Sequence, residues 1–421
     1  MQDLTSLLSR YKRLIDDKKE RIEDSSRRIF AAFHFEPLDR PPVIQVTQTV
    51  LFPREEIFSA KEKLLLAQLA NIVLTLQHET DYMPFIDSFE GVTVLAEAFG
   101  CEVIVPSHGD PQVSRPLIFE NYWDVWNLQK PDAHNPVYLR ILEHLHFFEE
   151  MTDYALPVTV TDPQSPLDVA SLIWDNTSFL LALRERPKEV HHLLHMVTEA
   201  FIEFYSLQYG LLKNPALPGH SFPLLKGARG ISISDDEAVL LSPQLFEEFN
   251  LPYLAKISET FGGLYYHCCG DFGHLIESIL KIPGLRAVNA HLSPREFHPE
   301  YVRTFLDAGV ALFLGMGDVE VGWKDTVWEE RTPLEIYDEY YLPEVIRTSK
   351  GRGITLTGYG GYRGFIDLPG LEHGFLTDSS GHGFSESTSC FLNLDVRQKN
   401  ALFSRICERI QRLLRDIEKC G

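Results

Sequence analysis

Short β-type runs alternate with longer amphipathic stretches along almost the whole chain. This alternation constrains the fold more than any other feature of the 421 residues. Eight runs read as strands: PVIQV (42–46), DYMPFI (81–86), LPVTVT (156–161), GISIS (230–234), GLYYHC (263–268), RAVNAH (286–291), VALFLG (310–315) and GITLTG (353–358). Between them lie helical patterns such as KEKLLLAQLANIVLTLQ, NTSFLLALRERPKEVHHLLHMVTEAFIEFYSLQY and SPQLFEEFNLPYLAKISETF. Strands that alternate with helices imply βαβ units and a parallel sheet. Eight of them imply an α/β chain closed into a single (β/α)8 TIM barrel. A doubly wound open sheet is the alternative with a similar pattern. Residues 1–35 read as a polar helical lead-in, and the Pro41-Pro42 pair marks the entry to the first extended run. The expected organisation is therefore a helical extension over 1–35 and a barrel domain over 36–421. Two stretches exceed what a minimal barrel needs, residues 100–155 and residues 359–393 after the eighth run. Long loops in a compact domain are usually functional or lid-like.

The net charge of -21 repels polyanions, which argues against nucleic acid and anionic membrane surfaces as partners. The N-terminus is charged from its start and shows no apolar leader segment. No apolar run approaches the roughly 18 residues of a membrane span. The expected location is the cytoplasm. There the six cysteines, Cys101, Cys268, Cys269, Cys390, Cys407 and Cys420, are expected as thiols or metal ligands rather than disulfides.

In a barrel of this kind the chemistry collects at the carboxyl ends of the strands. Those positions hold Gln45 and Thr47, then Asp87, Asp162, Asp235 and Asp236, then His267, Cys269 and Asp271. Asn289 and His291, Met316 and Asp318, and Tyr359 and Gly361 follow. Any one of these Asp residues reads equally well as a helix cap. The set as a whole points to one mouth. The sharpest local signal is His267-Cys268-Cys269-Gly270. Residues i and i+2 of a strand share a face, so His267 and Cys269 can share one ion while Cys268 turns into packing. Imidazole plus thiolate suits zinc. The alternative is a buried thiol beside a hydrogen-bonded histidine. A second signal is Ser380-Gly381-His382-Gly383, where flanking glycines leave an imidazole exposed. A plain Gly-rich turn reads the same way. No P-loop, dinucleotide fingerprint, G-x-S-x-G or H-E-x-x-H is present. The HHLLH run places His191 and His195 at i, i+4, which a solvated helix face explains.

LDRPPV (38–43), DYMPFIDSFEGVTVLAEAFG (81–100), PLDVASLIWDNTSFLLALRERPKEVHHLLHMVTE (166–199) and ISDDEAVLLSPQLFEEFNLPYLAKI (233–257) resemble successive blocks of the uroporphyrinogen decarboxylase superfamily. The resemblance runs from about residue 36 to about 317 and returns more loosely over 353–415. True decarboxylases of this superfamily carry an Arg-rich stretch of the form RQAGR after the first strand. Here IQVTQTVLFPRE (44–55) offers Arg54 and no cluster, whereas a polycarboxylate substrate needs several bidentate cations. Asp87 and Gly381-His382-Gly383 do resemble the decarboxylase pattern. The methylcobamide-dependent methyltransferase branch carries H-x-C after the fifth strand and a cysteine in a G-C-G loop after the eighth. His267-x-Cys269 matches the first part, and His382 stands where that cysteine would be, with Cys390 the next candidate.

The resemblance therefore implies a zinc-dependent methyltransferase. It would move a methyl group between a corrinoid (methylcobamide) protein and a small acceptor, or a methoxy or amine donor. The implied zinc ligands are His267, Cys269 and His382, with Asp87, Asp235 and Asp236 orienting ligands or substrate. A corrinoid-binding protein would dock on the barrel mouth. The alternative is a cofactor-independent decarboxylase in which Asp87 stabilises a protonated intermediate and His382 shuttles a proton. A non-catalytic binding protein on the same fold is a third possibility.

Overall fold

Six of the eight expected runs are ladder strands in the structure, a computed structural model that describes residues 2–47, 51–106, 110–119, 121–290, 299–315, 342–358 and 396–420. The strands are β1 (Val43–Gln45), β2 (Glu102–Ile104), β3 (Gln112–Arg115), β4 (Ile231–Ser234), β5 (Leu264–Cys268), β6 (Leu285–Ala290), β7 (Ala311–Gly315) and β8 (Ile354–Gly358). Sequence positions His291, Met316, Asp318, Tyr359, Gly361, His382 and Cys390 lie outside the described residues.

The chain divides into two compact units. The first comprises Met1–Pro53, Leu65–Pro84 and Ala287–Gly421. Its strands run parallel in the order β1, β8, β7, β6, with Val43 beside Leu356, Leu312 beside Ile354 and Ala287 beside Ala311. Helices Gln2–Asp17, Lys19–Phe33, Pro299–Asp307, Leu342–Ser349 and Val396–Cys420 belong to this unit. The second unit comprises Arg54–Leu64 and Phe85–Arg286. There β4 pairs in parallel with β5, from Ile231 beside Leu264 to Ser234 beside His267. Every residue of β4, β5 and β7 is buried. That is why β5 and β7 read as near-continuous apolar runs, whereas β4 alternates Ile with Ser and buries both. Gly230 and Gly263 let β4 and β5 start in contact, because a Cβ on Gly230 would lie 2.5 Å from the Gly263 carbonyl oxygen.

The runs 81–86 and 156–161 are extended but do not form ladder strands. Asp81 lies along β1, its N–H donating to the Val43 carbonyl (3.0 Å) and its Oδ2 accepting from the Val43 N–H (2.8 Å). Arg40 closes on the same carboxylate, which ties LDRPPV to DYMPF. The Gln45 N–H then goes to the Thr80 hydroxyl rather than to a backbone carbonyl, so the pairing stops. Ile86 makes one parallel bridge to Val158, and Val158 makes another to Pro215. Pro84 and Pro157 have no N–H to extend this ladder, and the Thr161 N–H goes to the Gln208 side chain instead.

Residues 100–155 hold an antiparallel hairpin, β2 with β3, and helix Pro136–Met151. Serine or asparagine followed by proline starts three helices of the second unit: Asn135-Pro136, Ser165-Pro166 and Ser242-Pro243. In each, the cap oxygen accepts a first-turn N–H while proline takes a position that has no N–H to satisfy. No described helix is long and apolar enough to cross a membrane.

Candidate metal centre

His267 and Cys268 are the last two residues of β5, and Cys269 follows them. The strand turns Cys268 inward, where it is fully buried, and leaves Cys269 exposed. Burial pushes the Cys268 thiol far above its ordinary range, so it is a packing group and not a thiolate. His267 Nε2 lies 3.2 Å from Cys269 Sγ. The end of β4 supplies a third donor. Asp236, His267 and Cys269 each offer one ligand atom, and these atoms lie within 4.8 Å of one another. No other such group of three occurs among the described residues.

Backbone hydrogen bonds fix this arrangement. The Asp235 N–H donates to the His267 carbonyl (3.0 Å), which extends the β4–β5 pairing by one residue. The Cys269 N–H then donates to Asp236 Oδ1 (2.7 Å). Asp168 holds the same turn from the opposite side, its Oδ2 and Oδ1 accepting the N–H groups of Asp236 and Glu237 at 2.9 Å each. Burial raises the Asp168 pKa well above the usual carboxylate value, and the charges of Asp235 and Asp236 raise it further.

Asp235 does not join Asp236. Its side chain is fully buried, and Oδ2 accepts from Asn250 Nδ2 (2.7 Å) and the Tyr266 hydroxyl (2.9 Å). Consecutive residues at a strand end face opposite ways, so the sequence pair Asp235-Asp236 splits into an inner strut and an outer donor. Asp271 Oδ1 accepts the Gly273 N–H, a local turn contact. Asn289 is buried and donates to the Phe313 carbonyl within its own sheet. His191 accepts or donates at Tyr253 and stacks on Phe249, a helix-packing role.

Asp87 stands with a partner that the sequence did not single out. Its Oδ2 is 2.9 Å from His220 Nδ1, and its Oδ1 accepts from Thr159 Oγ1 (3.3 Å). Burial pulls the His220 pKa down, but Asp87 and Asp162, with Asp110, outweigh it and push it up to about 10. Asp162 is itself buried, with Ser234 Oγ donating to Oδ1 (3.1 Å) and Gln164 Nε2 to Oδ2 (2.6 Å). His220 sits between Gly219 and Ser221 in a connection with no strand or helix pattern, so no periodicity pointed to it. Asp168 follows Ser165 at the spacing of a helix start, which gives its carboxylate no long-range signal in the sequence.

The donor chemistry fits zinc. A tetrahedral ion with nitrogen and sulfur ligands keeps those atoms about 3.5 Å apart, close to the separation of Nε2 and Sγ here. Carboxylate, imidazole and thiolate are all zinc ligands.

The chain is 24% identical over 243 residues to uroporphyrinogen decarboxylase from Schizosaccharomyces pombe. That match covers 55% of this chain and 63% of the yeast enzyme, so it spans less than two thirds of the relative's length. Among solved structures, a methyltransferase from Methanosarcina mazei superposes over 91% of this chain and 98% of its own. The TM-score is 0.58 at 19% identity, which establishes a shared α/β barrel-type fold. The uroporphyrinogen decarboxylase (URO-D) family pattern matches residues 24–293, more than half of the chain, and the chain belongs to that family.

Proposed function

We propose that the chain is a zinc-dependent methyltransferase. It would move a methyl group between a corrinoid carried by a partner protein and a small-molecule acceptor, or a methoxy or amine donor. The observation that carries this reading is the meeting of Asp236, His267 and Cys269 donors within 4.8 Å at the ends of β4 and β5. His267 Nε2, Cys269 Sγ and an Asp236 carboxylate oxygen would hold the ion, and His382 is the proposed further ligand, with Cys390 its alternative. Bound zinc supplies a Lewis acid that makes an acceptor thiol nucleophilic or a donor's leaving group better. The protein's own part is positional. Asp168 fixes the turn that presents Asp236, and the Cys269 N–H keeps Asp236 beside the thiol. Asp87 and His220 supply a charged pair for the substrate.

Family membership and the yeast relative favour a second reading, cofactor-independent decarboxylation with Asp87 near the reacting group. Against it, the segment after β1 carries Arg54 and no arginine cluster. Metal analysis separates the two. Purified protein is expected to bind one zinc per chain, and Asp236→Ala, His267→Ala and Cys269→Ala should each weaken binding at least about tenfold. His382→Ala should weaken it as well, whereas His382→Cys should retain it. Methyl transfer to or from free cobalamin should follow zinc content across the series. A protein that takes up no zinc, or whose zinc is indifferent to Cys269→Ala, sinks the methyltransferase reading.

A further inference from the structure

We propose that His220, positioned by Asp87, donates the proton to the oxygen that leaves when a methyl ether is demethylated at this site. The reaction rests on the methyl-transfer reading above, whereas the dyad rests on geometry alone. His220 Nδ1 is occupied by Asp87 Oδ2 at 2.9 Å, and Thr159 Oγ1 holds the other oxygen of that carboxylate. Phe89 stacks on the ring, with centroids 5.0 Å apart and planes at 18°. The ring is therefore fixed on one face and along one edge. Nε2 meets no hydrogen-bond partner among the described residues.

The dyad is linked to the metal donors through neighbouring extended segments. Ser234 lies beside His267 in the β4–β5 register and donates to Asp162. Asp162 in turn acts on His220 through its charge. His267, Ser234, Asp162, His220 and Asp87 thus form one connected series across the strand ends.

The surroundings set the direction of proton transfer. The carboxylates that act on His220 are Asp87, Asp162 and Asp110, and together they keep the ring doubly protonated. Such a ring can give a proton but cannot take one. Methylation of a thiol requires a base to remove its proton. Demethylation of an ether requires an acid. In the ether case the O–CH3 bond breaks, and the methyl group passes to the nucleophile, the reduced corrinoid cobalt of the partner. The bonding pair stays on oxygen, which takes the Nε2 proton and leaves as an alcohol or phenol. Neutral His220 then recovers a proton from water. The dyad therefore places the small molecule on the donor side of the reaction, as a methyl ether whose leaving oxygen takes the proton.

Two measurements test this on the zinc-loaded full chain. In nitrogen-15 imidazole spectra, with the His220 signal identified by its loss in His220→Gln, the ring should stay doubly protonated past pH ~8, well above the ordinary histidine range. Asp87→Asn should bring its titration back toward that range. A His220 that is neutral near pH ~7.5 with Asp87 intact overturns the dyad. The second measurement uses free cob(I)alamin and a series of ring-substituted anisoles whose leaving phenols differ in acidity. His220→Gln and His220→Asn should lose about a hundredfold in rate on 4-methylanisole. The loss should shrink steadily towards 4-nitroanisole, whose phenolate leaves without help. An equal loss across the series, with zinc content unchanged, marks a structural role and overturns the proposal. If the wild type demethylates none of the anisoles, the ether step falls, and the spectra then judge the dyad separately from the methyl-transfer reading.

Discussion

Cys268 and Cys269 are adjacent in the chain and differ in everything else. One is sealed in the core behind β5, and the other is exposed beside His267 and Asp236. Strand alternation alone produces this contrast. Cys268→Ala removes a buried sulfur and should cost about 1 kcal/mol of stability, read as a shift in urea midpoint, with zinc binding intact. Cys269→Ala should leave the midpoint of the metal-free protein within about 0.5 kcal/mol, as exposed substitutions do, while zinc affinity falls at least about tenfold. Equal loss of zinc in both variants would mean that β5 does not present its residues in this order. The site was legible here because spacing on a strand determines direction. His220 and Asp168 were not legible. One acts from an irregular connection, and the other sits in a capping box whose carboxylate serves a turn far along the chain.

At the scale of elements, helix Pro166–Ile173 and the turn after β4 act as one piece. Ser165 accepts the Asp168 N–H (3.0 Å) and so starts the helix, while the Asp168 carboxylate takes the N–H groups of Asp236 and Glu237. Asp168→Asn presents an amide NH2 to one of those donors. It should cost roughly 1–3 kcal/mol, the penalty of an unpaired buried N–H. It should also weaken zinc binding, because the turn that carries Asp236 loses its anchor. Calorimetric zinc titration and urea unfolding, run together, check both effects. Normal zinc affinity in a destabilised variant would confine Asp168 to folding. The same scale explains which strands could be read from sequence. Runs 42–46, 230–234, 263–268, 286–291, 310–315 and 353–358 each contain a strand whose described residues are mostly buried. Runs 81–86 and 156–161 have the same composition but contain Pro84 and Pro157, so their pairing shrinks to single bridges. The hairpin of β2 and β3 escaped notice because its strands are short and mostly exposed, with no apolar run to mark them.

At the scale of the whole molecule, two electrostatic effects oppose each other on the acid side. The net charge of -21 repels itself, so lowering the pH towards the sequence pI of about 5.2 relieves that repulsion and stabilises the fold. His78 works the other way. It is buried in the first unit, with Nε2 2.7 Å from Thr47 Oγ1. Burial, reinforced by the charge of Lys399, lowers its pKa from 6.5 to about 4. The folded value lies below the unfolded one, so as pH falls the unfolded chain takes the proton first. Stability is whole above pH 6.5 and is lost as the pH drops towards 4. The loss is on the order of 3 kcal/mol for a shift of this size. Salt separates the two effects, because it screens repulsion among exposed charges but barely touches a buried imidazole. At about 0.5 M salt the stability of the wild type relative to a His78 variant should therefore fall between these two pH limits, since the buried carboxylates whose pKa values are raised act equally on both. His78→Gln, which cannot take the charge, should lack this one component of the slope even though it is less stable near neutrality. Parallel curves for wild type and variant in urea titrations at several pH values would refute the account, because the lost slope must belong to the one imidazole removed.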